Sequence, residues 1–139
     1  MKQGANRTGL EECDWNAAYA EVRRGIEAAR REGRGVALLV SPMLPSEEAY
    51  LLGKLAASLD DRAVVGVGPV PFHGEDKTFP GGYTISAEKA PNARGVRRAL
   101  GQVFDEVLDS AAWTARVGED NPGVVILTGN YPSGWVTDD

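Results

Sequence analysis

The 139-residue chain suits one globular domain, and its hydrophobic fraction of 42% and charged fraction of 25% allow a buried core. Twenty acidic residues against fifteen basic ones give a formal charge of −5, which argues against a general nucleic-acid or anionic-membrane binder. No apolar run approaches the roughly 20 residues that span a bilayer, and the opening MKQGANRTGLEECDW lacks the apolar stretch of a signal peptide. We therefore expect a cytoplasmic protein without direct membrane insertion.

The single cysteine and the single histidine restrict the chemistry that the chain can perform. Cys13 alone cannot form an internal disulfide or supply the set of thiolates that an iron–sulfur cluster usually needs. A zinc site would have to combine Cys13, His73 and carboxylates from distant parts of the chain. His73 lies between Pro71 and Gly74, where we expect a solvated side chain, and no nucleophile elbow accompanies it. Hydrolytic activity is therefore not favoured.

The first predicted element is a helix over about 14–32. Residues 1–13 before it are polar and lack periodicity, which predicts a flexible lead-in to a single α/β domain over 14–139. Asp14 fits the N-cap position, and Gly33 offers a left-handed stop. Trp15 is expected in the core. The apolar stripe of this helix consists of Trp15, Ala18, Tyr19, Val22, Ile26 and Ala29.

Three apolar runs of strand length alternate with the helical segments. Unbroken hydrophobicity, rather than alternation, is typical of strands covered on both faces, as in parallel sheets. Ser46 and Asn92 are the expected N-caps of the second and third helices. After the first helix, the predicted order is a strand at 35–40, a helix at 46–58, a strand at 63–67, a helix at 93–113 and a strand at 123–127.

The segment at 69–92 is punctuated too densely by glycine and proline for long elements, and only 84–87 is predicted as a short strand. A loop of this length usually serves a function or packs on a neighbour. The helix after it ends in a polar connection over 118–122. Trp113 and Trp135 fit either a core or an interface. The inward face of that helix is expected to consist of Val96, Leu100, Val103, Val107 and Ala111.

This order of elements predicts an α/β fold: a three-layer sandwich in which a Rossmann-like parallel sheet is flanked by helices. A sheet of three strands is small and calls for extra strands or a partner at its edges. Ligands of such sheets usually bind beyond the carboxyl ends of the strands. Those ends lie at 41–43, 66–69 and 128–131. They are either a cofactor or subunit contact or ordinary strand-to-helix turns.

Gly66 and Gly68 do not complete a dinucleotide-binding fingerprint. The motif needs glycine or alanine at position 71, at the start of a helix, but that position is Pro71. Three arginines near the predicted start of the 93–113 helix are more suggestive, because cations are disfavoured there. They contact either an anion, an acidic partner or only solvent. These residues are Arg94, Arg97 and Arg98.

Several stretches, in order across about residues 15–136, carry a family resemblance. They are SPMLPSEEAYLLGKL at 41–55, GPVP at 68–71, GEDKTF at 74–79, YTISAEKAPNARGV at 83–96 and LTGNYPSGWV at 127–136. These stretches resemble the molybdopterin-fold subunit of NADH-quinone oxidoreductase and related proteins of the molybdopterin oxidoreductase family. The resemblance implies one α/β lobe of the molybdopterin-type fold, within an electron-transfer complex.

In that family the iron–sulfur clusters lie in cysteine-rich domains that this sequence does not contain, and more than one lobe holds the molybdopterin of catalytic relatives. The resemblance therefore implies no catalytic residue, metal or cofactor on this chain. It implies other subunits or lobes of a redox complex as partners, no nucleic acid, and a cytoplasmic location, peripheral to the membrane only through the complex. The candidate ligand or interface positions are Ser41, Gly68, Lys89, Asn92, Arg94 and Tyr131.

The leading hypothesis is a structural or assembly component of such a complex. The alternative is a stand-alone α/β module that binds a small anionic ligand, such as a pterin or nucleotide, at the carboxyl ends of the strands. An autonomous enzyme is the weakest hypothesis, because no general acid, nucleophile and orienting group assemble from the motifs. The sequence leaves open whether the chain is a split subunit or a truncated gene product.

Overall fold

The computed structural model describes residues 12–129. Within this range helices and strands follow one another in the order that a parallel α/β fold requires, with one small hairpin inserted. The elements are α1 (Trp15–Arg31), β1 (Val36–Val40), α2 (Ser46–Leu59), β2 (Val64–Val67), β3 (Lys77–Thr78), β4 (Thr84–Ile85), α3 (Ala93–Leu100), α4 (Ser110–Asp120) and β5 (Val124–Leu127).

β1 is the centre of a three-stranded parallel sheet with the order β2-β1-β5. Ala37 lies opposite Val64 on one side and opposite Val125 on the other. All five residues of β1 are buried, as the unbroken apolar run predicts. The predicted α/β fold with a parallel sheet between helices is therefore confirmed, whereas its finer assignment to a family remains a proposal.

The two faces of the sheet carry separate helix layers. Leu38 and its neighbours on one face pack against α2 and α3, whereas Leu39 on the other face packs with Trp113 of α4. Each large side chain buried in this way stabilises the fold by about 1.5–3 kcal/mol relative to an exposed one. Trp113, which fits either core or interface from sequence, is a core residue with 6% exposure.

The first helix begins and ends close to the predicted residues. The Asp14 carboxylate accepts a hydrogen bond from Ala17 N–H at 2.8 Å, and Gly33 adopts a left-handed φ of 67°. The expectation that Trp15 lies in the core is wrong, because its side chain is 76% exposed. Only the carboxyl-terminal part of α1 contacts the body, where Ala29 is buried against Gly123.

The helix predicted at 93–113 is wrong, because two helices occupy the region. The first ends at Leu100, and Leu108 then joins the sheet: it donates to Val65 O and accepts from Val67 N–H, both at 2.9 Å. This pairing satisfies backbone groups at the β2 edge that a continuous helix would leave open. The chain needs the whole connection at 101–109 to reach that edge.

The second helix begins at Ser110, with Asp109 as its N-cap. The Asp109 carboxylate accepts from Ala112 N–H at 2.8 Å, and the helix ends at Asn121, which has a left-handed φ of 44°. Ala111, expected to point inward, is exposed because the new helix has its own phase. The polar connection predicted at 118–122 is also wrong in part, because helix α4 continues through Asp120.

The segment at 69–92 folds as an irregular arm around a short hairpin. β3 and β4 pair antiparallel, and the hydroxyl groups of Thr78 and Thr84 are 2.9 Å apart. Gly81 and Gly82 have positive φ values, which the tight connection requires. The strand predicted at 84–87 is therefore present only at its first two residues. No helix within 12–129 is long and apolar enough to cross a membrane.

Candidate functional site

The carboxyl ends of the strands form a rim that the chain's own hydrogen bonds close. Ser41 is fully buried, its N–H donates to Thr128 Oγ1 at 2.7 Å, and its hydroxyl accepts from Met43 N–H at 3.2 Å. Gly68 N–H donates to Val40 O at 2.8 Å. Two of the candidate positions, Ser41 and Gly68, therefore lie at this rim. Ser41 serves its own turn there.

Asn92 joins the start of α3 to the loop that follows β1. Its side-chain amide donates to Leu44 O at 2.8 Å and to Ser46 Oγ at 3.2 Å. Gly95 lies so close that a Cβ there would overlap Asn92 Oδ1. Asn92 occupies the expected N-cap position, but its side chain makes no capping hydrogen bond. The expectation that Ser46 caps α2 is wrong, because Pro45 is the N-cap and Ser46 is already helical.

A cavity of about 380 Å³ lies between the end of β2 and the starts of α3 and α4. Arg94 and Arg97 line it together with two acidic side chains, Glu88 and Asp109. Arg97 donates to Val107 O at 2.8 Å, whereas Arg94 makes no hydrogen bond or ion pair within residues 12–129. The apolar part of the lining consists of Val67, Val70, Phe72 and Ala93. This arrangement can accept one anionic group beside an apolar ring.

The shortness of α3 changes the meaning of two arginines. Arg97 and Arg98 lie in the last turn of α3, where the helix dipole favours cations, and not near a helix start as the sequence predicts. Arg94 alone remains near the start. On α4, the Arg116 guanidinium donates to Asp120 at 2.7 Å, and this hydrogen bond raises the pKa of Arg116 above its ordinary value.

Lys89 and Tyr131 lie apart from this cavity or beyond the described residues. Lys89 Nζ donates to Ser86 O at 2.6 Å, and its N–H donates to Pro71 O at 2.7 Å. Lys89 is therefore part of the arm and does not line the cavity. Tyr131, like Trp135, falls outside residues 12–129. Among the candidates, the structure brings Gly68 and Arg94 together at one cavity, and Asn92 and Arg94 at a smaller one beside it.

Gly66 has a packing function. A Cβ at Gly66 would lie 2.7 Å from Trp113 Cδ1, so the indole rests directly on the backbone of β2. Trp113 Nε1 donates to Val64 O at 3.0 Å, which fixes the ring in that place. His73, in the arm, is exposed as expected. Within residues 12–129, no group of three or more histidine, cysteine or acidic side chains is placed to hold a metal ion.

The outer edge of β5 is open within the described range. Val124 and Thr128 donate backbone hydrogen bonds toward β1, to Gly35 O at 3.3 Å and Leu39 O at 3.1 Å. Backbone groups alternate in direction along a strand, so those of Val125 and Leu127 point away from β1. The opposite edge of the sheet differs, because Leu108 bridges to Gly66 there. β5 therefore offers an edge to which another strand can pair.

The side chains of Val125 and Leu127 are also open, at 46% and 47% exposure. Leu39, which pairs with Leu127 in register, forms part of an adjoining groove of about 570 Å³. We call Val125, Leu127 and this groove the β5 face. The unbroken apolar run of β5 was a sequence signal for it, since such runs are typical of strands covered on both faces. The groove is lined by Leu39, Pro69, Ser110, Ala111, Thr114 and Ala115.

Comparison of the chain with known protein families, with curated proteins and with solved structures gives no match. A functional assignment therefore depends on the geometry of the chain and on the sequence resemblance.

Proposed function

We propose that this chain is a structural or assembly component of an electron-transfer complex of the NADH-quinone oxidoreductase or molybdopterin oxidoreductase type. In this proposal the chain is one α/β lobe of the molybdopterin-type fold and carries no redox centre of its own. Its partners are other subunits or lobes of the complex. Its location is the cytoplasm, or the inner face of the cell membrane by way of the complex.

The observation that carries the proposal is the β5 face. Two residues of an apolar strand, Val125 and Leu127, expose nearly half of their side chains beside an apolar groove. Parallel sheets are normally covered on both faces, and soluble monomers rarely expose contiguous apolar surface next to an unpaired strand edge. A strand and a helix from a neighbouring lobe would satisfy both the backbone edge and the exposed side chains.

The stretches that resemble the redox family support the same assignment by their position. SPML at 41–44 follows β1, GPVP at 68–71 follows β2, and LTG at 127–129 ends β5. All three therefore lie at the carboxyl ends of the strands, the end of such sheets that usually contacts ligands. A family-specific sequence at this rim favours a contact with another part of a complex over ordinary turns.

A tagged pull-down of the full chain from gently solubilised membranes of the native host tests the proposal. We expect other NADH dehydrogenase or molybdopterin oxidoreductase subunits to co-purify and to be identified by mass spectrometry. A Val125→Glu variant places a charge on the open face of β5, so it should lose most of these partners. Leu55→Glu is the matched control, since Leu55 on α2 is 48% exposed and Val125 is 46% exposed.

Circular dichroism of both variants checks that each keeps the fold. Retention of the partners by Val125→Glu, or their equal loss from Leu55→Glu, would show that the β5 face is not the contact. Recovery of the wild-type chain alone would contradict the assembly role.

A second candidate function comes from the Arg94 cavity. Its volume of about 380 Å³ and its combination of apolar walls with a guanidinium free of partners within 12–129 suit a small anionic ligand with a ring, such as a pterin or nucleotide. Recovery of the chain alone, with a melting temperature that rises on addition of such a ligand, would replace the assembly proposal with this one.

A further inference from the structure

The amino-terminal half of α1 carries an apolar face that nothing in residues 12–129 covers. Trp15, Tyr19 and Val22 are 76%, 65% and 60% exposed. Their spacing places them on one side of the helix. The rings of Trp15 and Tyr19 stack with centroids 5.7 Å apart, which makes one continuous surface. An apolar stripe of this kind on a helix normally faces a packing partner.

The same stripe is used for packing at the other end of α1. Ala29 is buried, and a Cβ on Gly123 would lie 2.5 Å from Ala29 Cβ. Arg30 fixes this end by donating to Leu59 O at 2.9 Å, at the end of α2. The carboxyl-terminal half of α1 is therefore fixed to the body. The amino-terminal half continues the same apolar side with no surface of the described chain beneath it.

The charges along α1 are unevenly distributed. Residues 12–21 contain three acidic residues and no basic one, a formal charge of −3, whereas residues 23–32 contain four arginines and two glutamates, a formal charge of +2. Arg23 and Arg24 pair with Glu27 and Glu21, but these pairs are more than half exposed. Such surface pairs contribute little stability, so the arginines remain available to a partner.

We propose that α1 is a self-association helix, through which two copies of this chain pair antiparallel about a two-fold axis near Ala18 and Tyr19. A two-fold interface must be complementary to itself. Antiparallel pairing places Trp15 of each copy against Val22 of the other, and the acidic half of each helix beside the basic half of its partner. Parallel pairing would place like charges together. The opposed helix dipoles also favour the antiparallel arrangement.

One helix pair buries less surface than a standard stable interface, so the dimer should be weak and depend on concentration. Sedimentation equilibrium of the full chain should show an average mass that rises with concentration from 14.8 kDa toward twice that value. Tyr19→Glu should weaken the association at least tenfold. Leu51→Glu on α2 is the matched control, because Leu51 and Tyr19 are both 65% exposed.

A wild-type mass that stays at 14.8 kDa at all concentrations would overturn the proposal, as would equal effects of Tyr19→Glu and Leu51→Glu. If the wild type is a monomer and Tyr19→Glu lowers its melting temperature, a segment of the same chain outside 12–129 covers the stripe. That result would also exclude the dimer.

Cysteine cross-linking tests the orientation of the two helices. Cys13 is exposed just before α1, and antiparallel pairing separates the two copies of it by roughly 16 Å, from the helical rise of about 1.5 Å per residue. This is well beyond the roughly 4–7 Å between Cα atoms in a disulfide. A Cys13→Ser, Ala18→Cys variant should cross-link under mild oxidation, and the wild type should not. Efficient cross-linking through Cys13 instead would indicate parallel helices and contradict the antiparallel arrangement.

Discussion

At the scale of single residues, Gly66 has the most sharply defined requirement. A methyl group there would lie 2.7 Å from Trp113 Cδ1, and the ring cannot move away without losing its hydrogen bond to Val64 O. We expect Gly66→Ala to destabilise the protein by about 1–3 kcal/mol, the usual cost of overpacking a core. Urea unfolding measures this change. Gly118→Ala is the control, because no atom lies within 4 Å of a Cβ at that α4 position.

The control should be neutral or stabilising by up to about 1 kcal/mol, since alanine favours a helix over glycine. Equal stability of Gly66→Ala and the wild type would contradict the close contact with Trp113. The sequence could exclude Gly66 from a nucleotide fingerprint but could not reveal this role, because the indole comes from a distant helix. The hydrogen bonds of Asn92 to Leu44 and Ser46 were hidden for the same reason.

At the scale of elements, α4 is the part of the fold that the sequence pattern misplaced. Val103 and Val107 are half-buried, so the apolar spacing continues across the connection between α3 and α4 and imitates one helix. The signal that should have divided it is Asp109 followed by Ser110, a typical N-cap pair. Local capping chemistry and the pairing of Leu108 with β2 therefore outweigh hydrophobic periodicity here.

Asp109→Ala distinguishes the two arrangements by the sign of its effect. As the N-cap of α4, the Asp109 carboxylate accepts from Ala112 N–H, and its loss should destabilise the protein by about 0.5–2 kcal/mol. In the middle of one long helix, the same change to alanine would be stabilising. Thermal or urea unfolding gives the sign. Asp105→Ala, in the connection before α4 and without a hydrogen bond within 12–129, should leave stability nearly unchanged.

At the scale of the whole molecule, the sequence predicts the parallel sheet because β1 is apolar at every position. It does not predict which surfaces stay open, because exposure depends on how many layers the rest of the chain supplies. β5 and α1 illustrate this limit. Val125 and Trp15 both belong to patterns that predict burial, yet both are largely exposed. These failures of the pattern mark the two surfaces that the proposals assign to partners.

The two surfaces should act independently, because they lie on different layers of the molecule. Val125 shares the face of the sheet that α4 covers, whereas α1 is held beside α2 by Arg30. Contacts without shared residues usually contribute additively. We therefore expect Tyr19→Glu to abolish self-association and keep the co-purifying redox subunits, and Val125→Glu to do the reverse. Both variants are compared by sedimentation and by pull-down. Loss of both properties in either variant would mean that one shared surface, or a general loss of folding, explains them.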